Sequence, residues 1–205
     1  MIQGNDTSQQ SFLVSKKYLE TIKVFDRRAC NLDYHQIRVD RTIGEGKLDL
    51  YSLIKPEENG LFRCRIVYDE NDASIEYIPY KKREIKKLKL VFDDTIEYSK
   101  KYEDRQHINK LYEQREECDD ILIVKDGLVC DTSIANIAFF DGDIWLTPKQ
   151  PLLEGTMRAK LLDEKKIFPT YIFYKDISKF QKIALMNAMI DFDIIMSDKI
   201  EDIIC

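Results

Sequence analysis

The stretch Leu152-Leu153-Glu154-Gly155-Thr156-Met157-Arg158 halts an apolar run at a glycine and resumes it as a helix start. A helix N-terminus carries unsatisfied N–H groups and the positive end of the helix dipole, so such a turn can seat a phosphate. Gly155 would let the backbone approach closely, with the Thr156 hydroxyl at hand. The same residues also suit an ordinary helix start, because glycine before a helix is common. Further candidates are scattered along the chain. His35 and Arg38 stand three residues apart, on one face of the helix expected there. Lys100-Lys101-Tyr102-Glu103-Asp104-Arg105 and Cys130-Asp131-Thr132-Ser133-Ile134-Ala135-Asn136 supply an amine and a carboxylate. Taken singly, a lysine in a polar passage is usually solvated, and an aspartate after a strand usually serves a turn.

The elements that must position these groups are legible as periodicities. Tyr18–Phe25 is β-branched and aromatic and predicts a strand, and Leu32, His35 and Val39 predict a helix over Leu32–Thr42. Phe62–Tyr68, Ser74–Ile78 and Lys87–Phe92 predict short strands, with Asp69-Glu70-Asn71-Asp72 as a turn. A polar passage after Asp93-Asp94 suggests a division into a small N-terminal lobe, 1–95, and a larger β-rich lobe, 96–205. His107–Arg115 predicts a helix. Strands follow at Ile121–Val124, Leu128–Cys130, Ile134–Phe140 and Ile144–Thr147, joined by hairpin turns at Asp126-Gly127 and Asp141-Gly142. Thr156–Lys166 predicts a helix and Ile183–Met189 a further buried segment. Strands and helices segregate rather than alternate, so the expected class is α+β with two lobes.

Composition narrows the function. The 205 residues are 44% hydrophobic and 11% aromatic, enough for a real core. A net charge of −5 argues against nucleic acid as main partner, and the Lys81-Lys82-Arg83 and Lys86-Lys87 clusters are diluted by acidic neighbours. Five scattered cysteines without C-x-x-C, and only two histidines, make a zinc site improbable. The polar start MIQGNDTSQQS does not look like a signal peptide, and no apolar run reaches membrane-span length. The expectation is a cytoplasmic protein with reduced thiols and no membrane partner.

In order and spacing, these pieces resemble the fold-type-IV pyridoxal-phosphate enzymes, the class IV aminotransferase superfamily. That family shows a lysine in K-x-x-N-R, an apolar strand, E-x-x-x-x-N followed by two hydrophobic residues, a T-P pair, and G-[IV]-[TM]-R opening a helix. Here the pieces are Lys101 with Arg105, Asp131 with Asn136-Ile137-Ala138, Thr147-Pro148, and Gly155-Thr156-Met157-Arg158. Asp104 stands in for the motif's asparagine. The likeness spans most of the chain, although family members are usually longer, chiefly before the lysine.

The resemblance implies roles. Lys101 matches the lysine that forms the Schiff base with the aldehyde of pyridoxal 5'-phosphate, a role that needs a neutral amine. Lys100, one residue off register, stays open as its rival. Asp131 matches the glutamate that pairs with the pyridine nitrogen and keeps the ring an electron sink. It lies 131 − 101 = 30 residues after Lys101, a tighter spacing than the family leads one to expect. Arg38 matches the arginine of H-x-x-R that grips the phosphate, with His35 as a positioning residue. Asn136 matches an asparagine that bonds backbone near the ring, and Gly155, Thr156 and Met157 match the phosphate turn.

Met157 and the run Met186-Asn187-Ala188-Met189 lean towards 4-amino-4-deoxychorismate lyase, which releases pyruvate to give 4-aminobenzoate for folate synthesis. Methionine as a core gap-filler is the competing explanation. A branched-chain or D-amino-acid aminotransferase is the second reading, and a non-catalytic cofactor-binding or interaction protein the third. Arg63 or Arg65 could meet a substrate carboxylate, or could be plain strand residues. A homodimer acting on a small amino substrate is the implied active unit.

Overall fold

The computed structural model describes residues 16–195 and 200–204. The polar start Met1–Ser11 and Cys205 lie outside them. The period-2 pattern of β1 (Tyr18–Phe25) turns Glu20, Ile22 and Val24 to the same buried face. β1 pairs antiparallel with β2 (Arg28–Ala29) and with β3 (Leu61–Tyr68), which pairs with β4 (Ala73–Pro79). The resulting sheet has the order β2-β1-β3-β4. Against its inner face lies α1 (Leu32–Ile43), whose buried stripe is His35, Val39 and Ile43, followed by the single turn α2 (Leu50–Leu53). Ile22, Val24, Val39, Leu50 and Ile66 form the core between them, each worth roughly 1.5–3 kcal/mol of apolar burial. Gly44, at φ 107°, ends α1 with its N–H on the Asp40 carbonyl, a backbone shape that favours glycine.

A second sheet begins with β5 (Leu88–Phe92), parallel to β6 (Asp120–Lys125). The change of sheet therefore falls between Pro79 and Leu88. β6 turns into β7 (Leu128–Thr132) through Asp126-Gly127, both at positive φ as a type I′ turn requires. β8 (Asn136–Phe140), β9 (Trp145–Pro148) and β10 (Phe168–Thr170) extend the sheet, and β11 (Lys182–Asn187) runs along β8 and carries β12 (Asp191–Ile195). Among the described residues this half carries the α-helices α3 (Gln106–Tyr112), continued by one 3-10 turn at Glu113–Arg115, and α4 (Thr156–Asp163). The architecture is α+β, with helices set apart from strands as expected.

Several boundaries differ from the sequence expectation. β8 starts at Asn136 rather than Ile134, because Thr132 Oγ1 accepts the Ala135 N–H and folds 132–135 into a turn. α4 stops at Asp163, where Lys165 takes φ 54°. Ile183–Met189 is mainly strand β11. The short elements α2, β10 and β12 carry no strong period and were not anticipated. Lys23–Asp191 (2.5 Å) and Lys82–Asp193 (2.6 Å) tie β1 and the β4–β5 link to β12.

Candidate active site

A carboxylate on the apolar face of a strand must find partners, and Glu20 finds two. Its Oε1 accepts from Arg38 Nε at 2.8 Å, and Oε2 from Arg38 Nη2 at 2.6 Å and from His35 Nδ1 at 2.5 Å. Glu20 and His35 are fully buried. Burial alone would raise the Glu20 pKa, but the Arg38 guanidinium and the His35 contact outweigh it and hold it at about 2. Burial keeps His35 below the usual imidazole range, despite Glu20. Arg38 has three N–H groups left after Glu20 takes two.

Lys101 lies on the strand-like passage that runs along the start of β1: its carbonyl accepts from Leu19 N–H at 2.8 Å, and Glu103 N–H donates to the Lys17 carbonyl. Burial, and then the Arg38 charge, pulls the Lys101 ammonium down to about 7, with Glu20 pulling the other way and Arg105 adding to the fall. The Lys100 amine has another partner. Its Nζ donates to the Thr42 carbonyl at 2.9 Å and lies 5.4 Å from the Tyr18 ring centre. Arg105 bonds the Ser133 carbonyl and so joins the lysine passage to the turn after β7.

Beside these groups, α4 begins at Gly155. The first bond of the helix is Ala159 N–H to the Gly155 carbonyl at 2.9 Å, so the N–H groups of the preceding turn have no intrahelical acceptor. Thr156 Oγ1 stands 3.3 Å from His35 Nε2. A Cβ on Gly155 would meet Asn136 Oδ1 at 2.0 Å, so only glycine fits. Asn136 Nδ2 donates to Asp131 Oδ1 at 2.7 Å and to the Leu153 carbonyl at 2.8 Å, while Leu153 N–H donates to Asp131 Oδ2 at 2.9 Å. Burial pushes the Asp131 pKa up to about 6 despite these donors.

A cavity of about 390 Å³ opens between α1 and α4, and its lining includes Arg38, Lys100, Lys101, Gly155, Thr156 and Arg158. Arg38, Lys101, Gly155 and Thr156, scattered along the sequence, thus meet in one place. Asp131, Asn136 and Met157 do not line it: the first two form the layer behind Gly155, and the Met157 side chain packs with Ala138, Leu161 and Met186. Arg63 and Arg65 lie off the cavity too, Arg65 being paired with Glu76 and Glu103. Sequence reasoning missed Glu20, whose signal was a charge in register with Ile22 and Val24. It also passed over Arg158 as a lining group. That buried guanidinium donates Nη2 to the Pro148 carbonyl at 2.8 Å and leaves Nε without a partner. Arg38, Arg158 and an open helix start around a half-enclosed cavity fit a phosphate-bearing cofactor, and the depressed Lys101 amine fits covalent attachment to an aldehyde.

An uncharacterized protein of Haemophilus influenzae is 43% identical over 180 residues, 83% of this chain and 96% of its own length. The model of the amino-transferase class IV family matches residues 102–194. The chain belongs to the class IV aminotransferase family. This class IV member is similar to a solved Haemophilus somnus protein assigned provisionally as a 4-amino-4-deoxychorismate lyase. The two share 38% identity at a TM-score of 0.77, over 85% of this chain and 96% of the other. A Brucella abortus aminotransferase solved with the cofactor PLP has the same fold at 14% identity, with a TM-score of 0.70 over 95% and 85% of the two chains. The architecture is that of fold type IV.

Proposed function

We propose that this class IV protein is a pyridoxal-phosphate-dependent 4-amino-4-deoxychorismate lyase, releasing pyruvate and 4-aminobenzoate from a small amino substrate, and that it works as a homodimer. The observation that carries the cofactor reading is the meeting of Lys101, Arg38 and the Gly155–Thr156 turn at one cavity. The likeness to the Haemophilus somnus protein supports the lyase over the aminotransferase, as do Met157 and Asn187-Ala188.

Arg38 and the N–H groups of the Thr156 turn would hold the phosphate, and Lys101 would bind the aldehyde carbon. Asp131 would answer the ring nitrogen from the layer behind Gly155, where Asn136 and Leu153 hold its two oxygens. Pyridoxal phosphate, when bound, supplies a sink for the electron pair left at the amine-bearing carbon. Lys101 supplies the base there: near neutrality its Nζ is unprotonated often enough to accept the proton. Two hydrogen bonds from Glu20 fix the Arg38 guanidinium.

Borohydride reduction of protein mixed with pyridoxal phosphate, followed by peptide mapping, tests the attachment, and a lactate-dehydrogenase-coupled assay on aminodeoxychorismate tests the reaction. Label on Lys101 with pyruvate release supports the lyase. Label with amino-group transfer to a keto acid and no pyruvate would make the protein an aminotransferase. Label dispersed over surface lysines would remove the cofactor reading.

A further inference from the structure

The buried chain Glu20–His35–Thr156 fixes where hydrogens lie. An ionised carboxylate only accepts, so the proton between Glu20 and His35 sits on Nδ1. A neutral imidazole then presents a bare Nε2, and the donor facing it is the Thr156 hydroxyl at 3.3 Å. A hydroxyl has one hydrogen. Spent on Nε2, it leaves lone pairs towards the cavity that Thr156 lines, where they repel a dianion.

We propose that His35 is a positioning residue that takes up one proton when a dianion settles in the Gly155–Thr156 turn, so that the Thr156 hydroxyl swings its hydrogen from the imidazole to the anion. This rests on the reading of that turn as the phosphate seat. The proton comes from solvent in the cavity. It bonds to Nε2, the Nε2–H then donates to Thr156 Oγ1, and the hydroxyl, its O–H bond intact, turns its hydrogen to an anion oxygen. Nothing else is made or broken.

The surroundings suit the exchange. Glu20 on β1 favours the imidazolium, whereas Arg38 on α1 and Lys101 on the passage before α3 oppose it. Tyr68 on β3 neighbours Glu20 and Arg38, and burial keeps its phenol protonated. A dianion beside Arg38 and Lys101 offsets the two opposing charges and tips His35 towards the proton.

The chain has only two histidines, and the other, His107, is exposed and paired with Asp93 at 2.6 Å. In His107→Gln protein, nitrogen NMR therefore reads His35 alone. Sulfate is the probe, because it stays a dianion across the working pH range and carries no proton of its own. Backbone amide shifts of Thr156 and Met157 report binding, and the two ring nitrogens report protonation. At pH 7 we expect a proton on Nδ1 only without sulfate, both nitrogens protonated at saturation, and a rise of one unit or more in the His35 pKa. Amide shifts with His35 still singly protonated would overturn the proposal and leave the phosphate seat standing. No amide shift would overturn both. Thr156→Ser should keep the proton uptake and Thr156→Val should bind sulfate without it. Equal uptake in the valine variant would mean that the field alone acts, which removes the hydroxyl's role.

Discussion

Gly155 and Asn136 touch so closely that the smallest side chain at 155 would stand 2.0 Å from Asn136 Oδ1. Through its amide, Asn136 joins that contact to Asp131 and to the Leu153 carbonyl. Gly155→Ala must therefore push the amide off the carboxylate or shift the start of α4. Overpacking of this kind costs about 2 kcal/mol, a fall of roughly 5 °C in Tm for a chain of this size. Thermal unfolding measures the first effect, and sulfate or pyridoxal phosphate titration should show a loss of anion affinity beyond it.

Lys101 is expected to be the most readily alkylated amine near neutrality. Burial and Arg38 favour its neutral form, so reductive methylation mapped by mass spectrometry should reach half-maximum at Lys101 near pH 7, well below the surface lysines. Glu20→Gln removes the charge that favours the ammonium, so it should move that midpoint lower still. An upward shift would contradict the electrostatics described above.

The same depressed amine has a stability consequence in the ligand-free protein. Below its folded value of about 7 the ammonium is charged in both folded and unfolded chains and its full penalty is present. Between there and its ordinary value the unfolded chain holds more protons, so stability rises with pH. Lys101→Met should thus raise Tm at pH 6 more than at pH 10.5, while abolishing covalent cofactor attachment. Lys100→Ala should leave that attachment intact, since Lys100 Nζ is occupied by the Thr42 carbonyl.

Glu20 should dominate acid sensitivity. Its folded pKa lies near 2, below the ordinary carboxylate value, so its contribution is complete above the unfolded value and is lost as pH falls towards 2. Glu20→Leu leaves a largely buried guanidinium without its anion and should destabilise by about 3 kcal/mol at pH 7. Urea unfolding across pH 2–5 checks both, because the leucine variant should show a flatter acid limb.

The local elements were written in the sequence. Alternation in Tyr18–Phe25, the His35–Val39 spacing and the Asp126-Gly127 turn depend on near neighbours, and the backbone follows them. The order of lysine, acid, asparagine and glycine turn was legible too, because motif spacing is a property of the chain itself. Contacts between distant residues were not. Both adjacent lysines line the cavity, and what tells them apart is a carbonyl on α1, far off in sequence, that takes the Lys100 amine. Glu20 read as one polar residue in a strand until folding set it against His35 and Arg38. Asp131 could be picked out as a carboxylate, but its place behind Gly155 depends on Asn136 and a backbone N–H at Leu153. Periodicity encodes which face a side chain occupies. Only the packing of separate elements decides which polar groups meet there, and burial then makes those meetings obligatory.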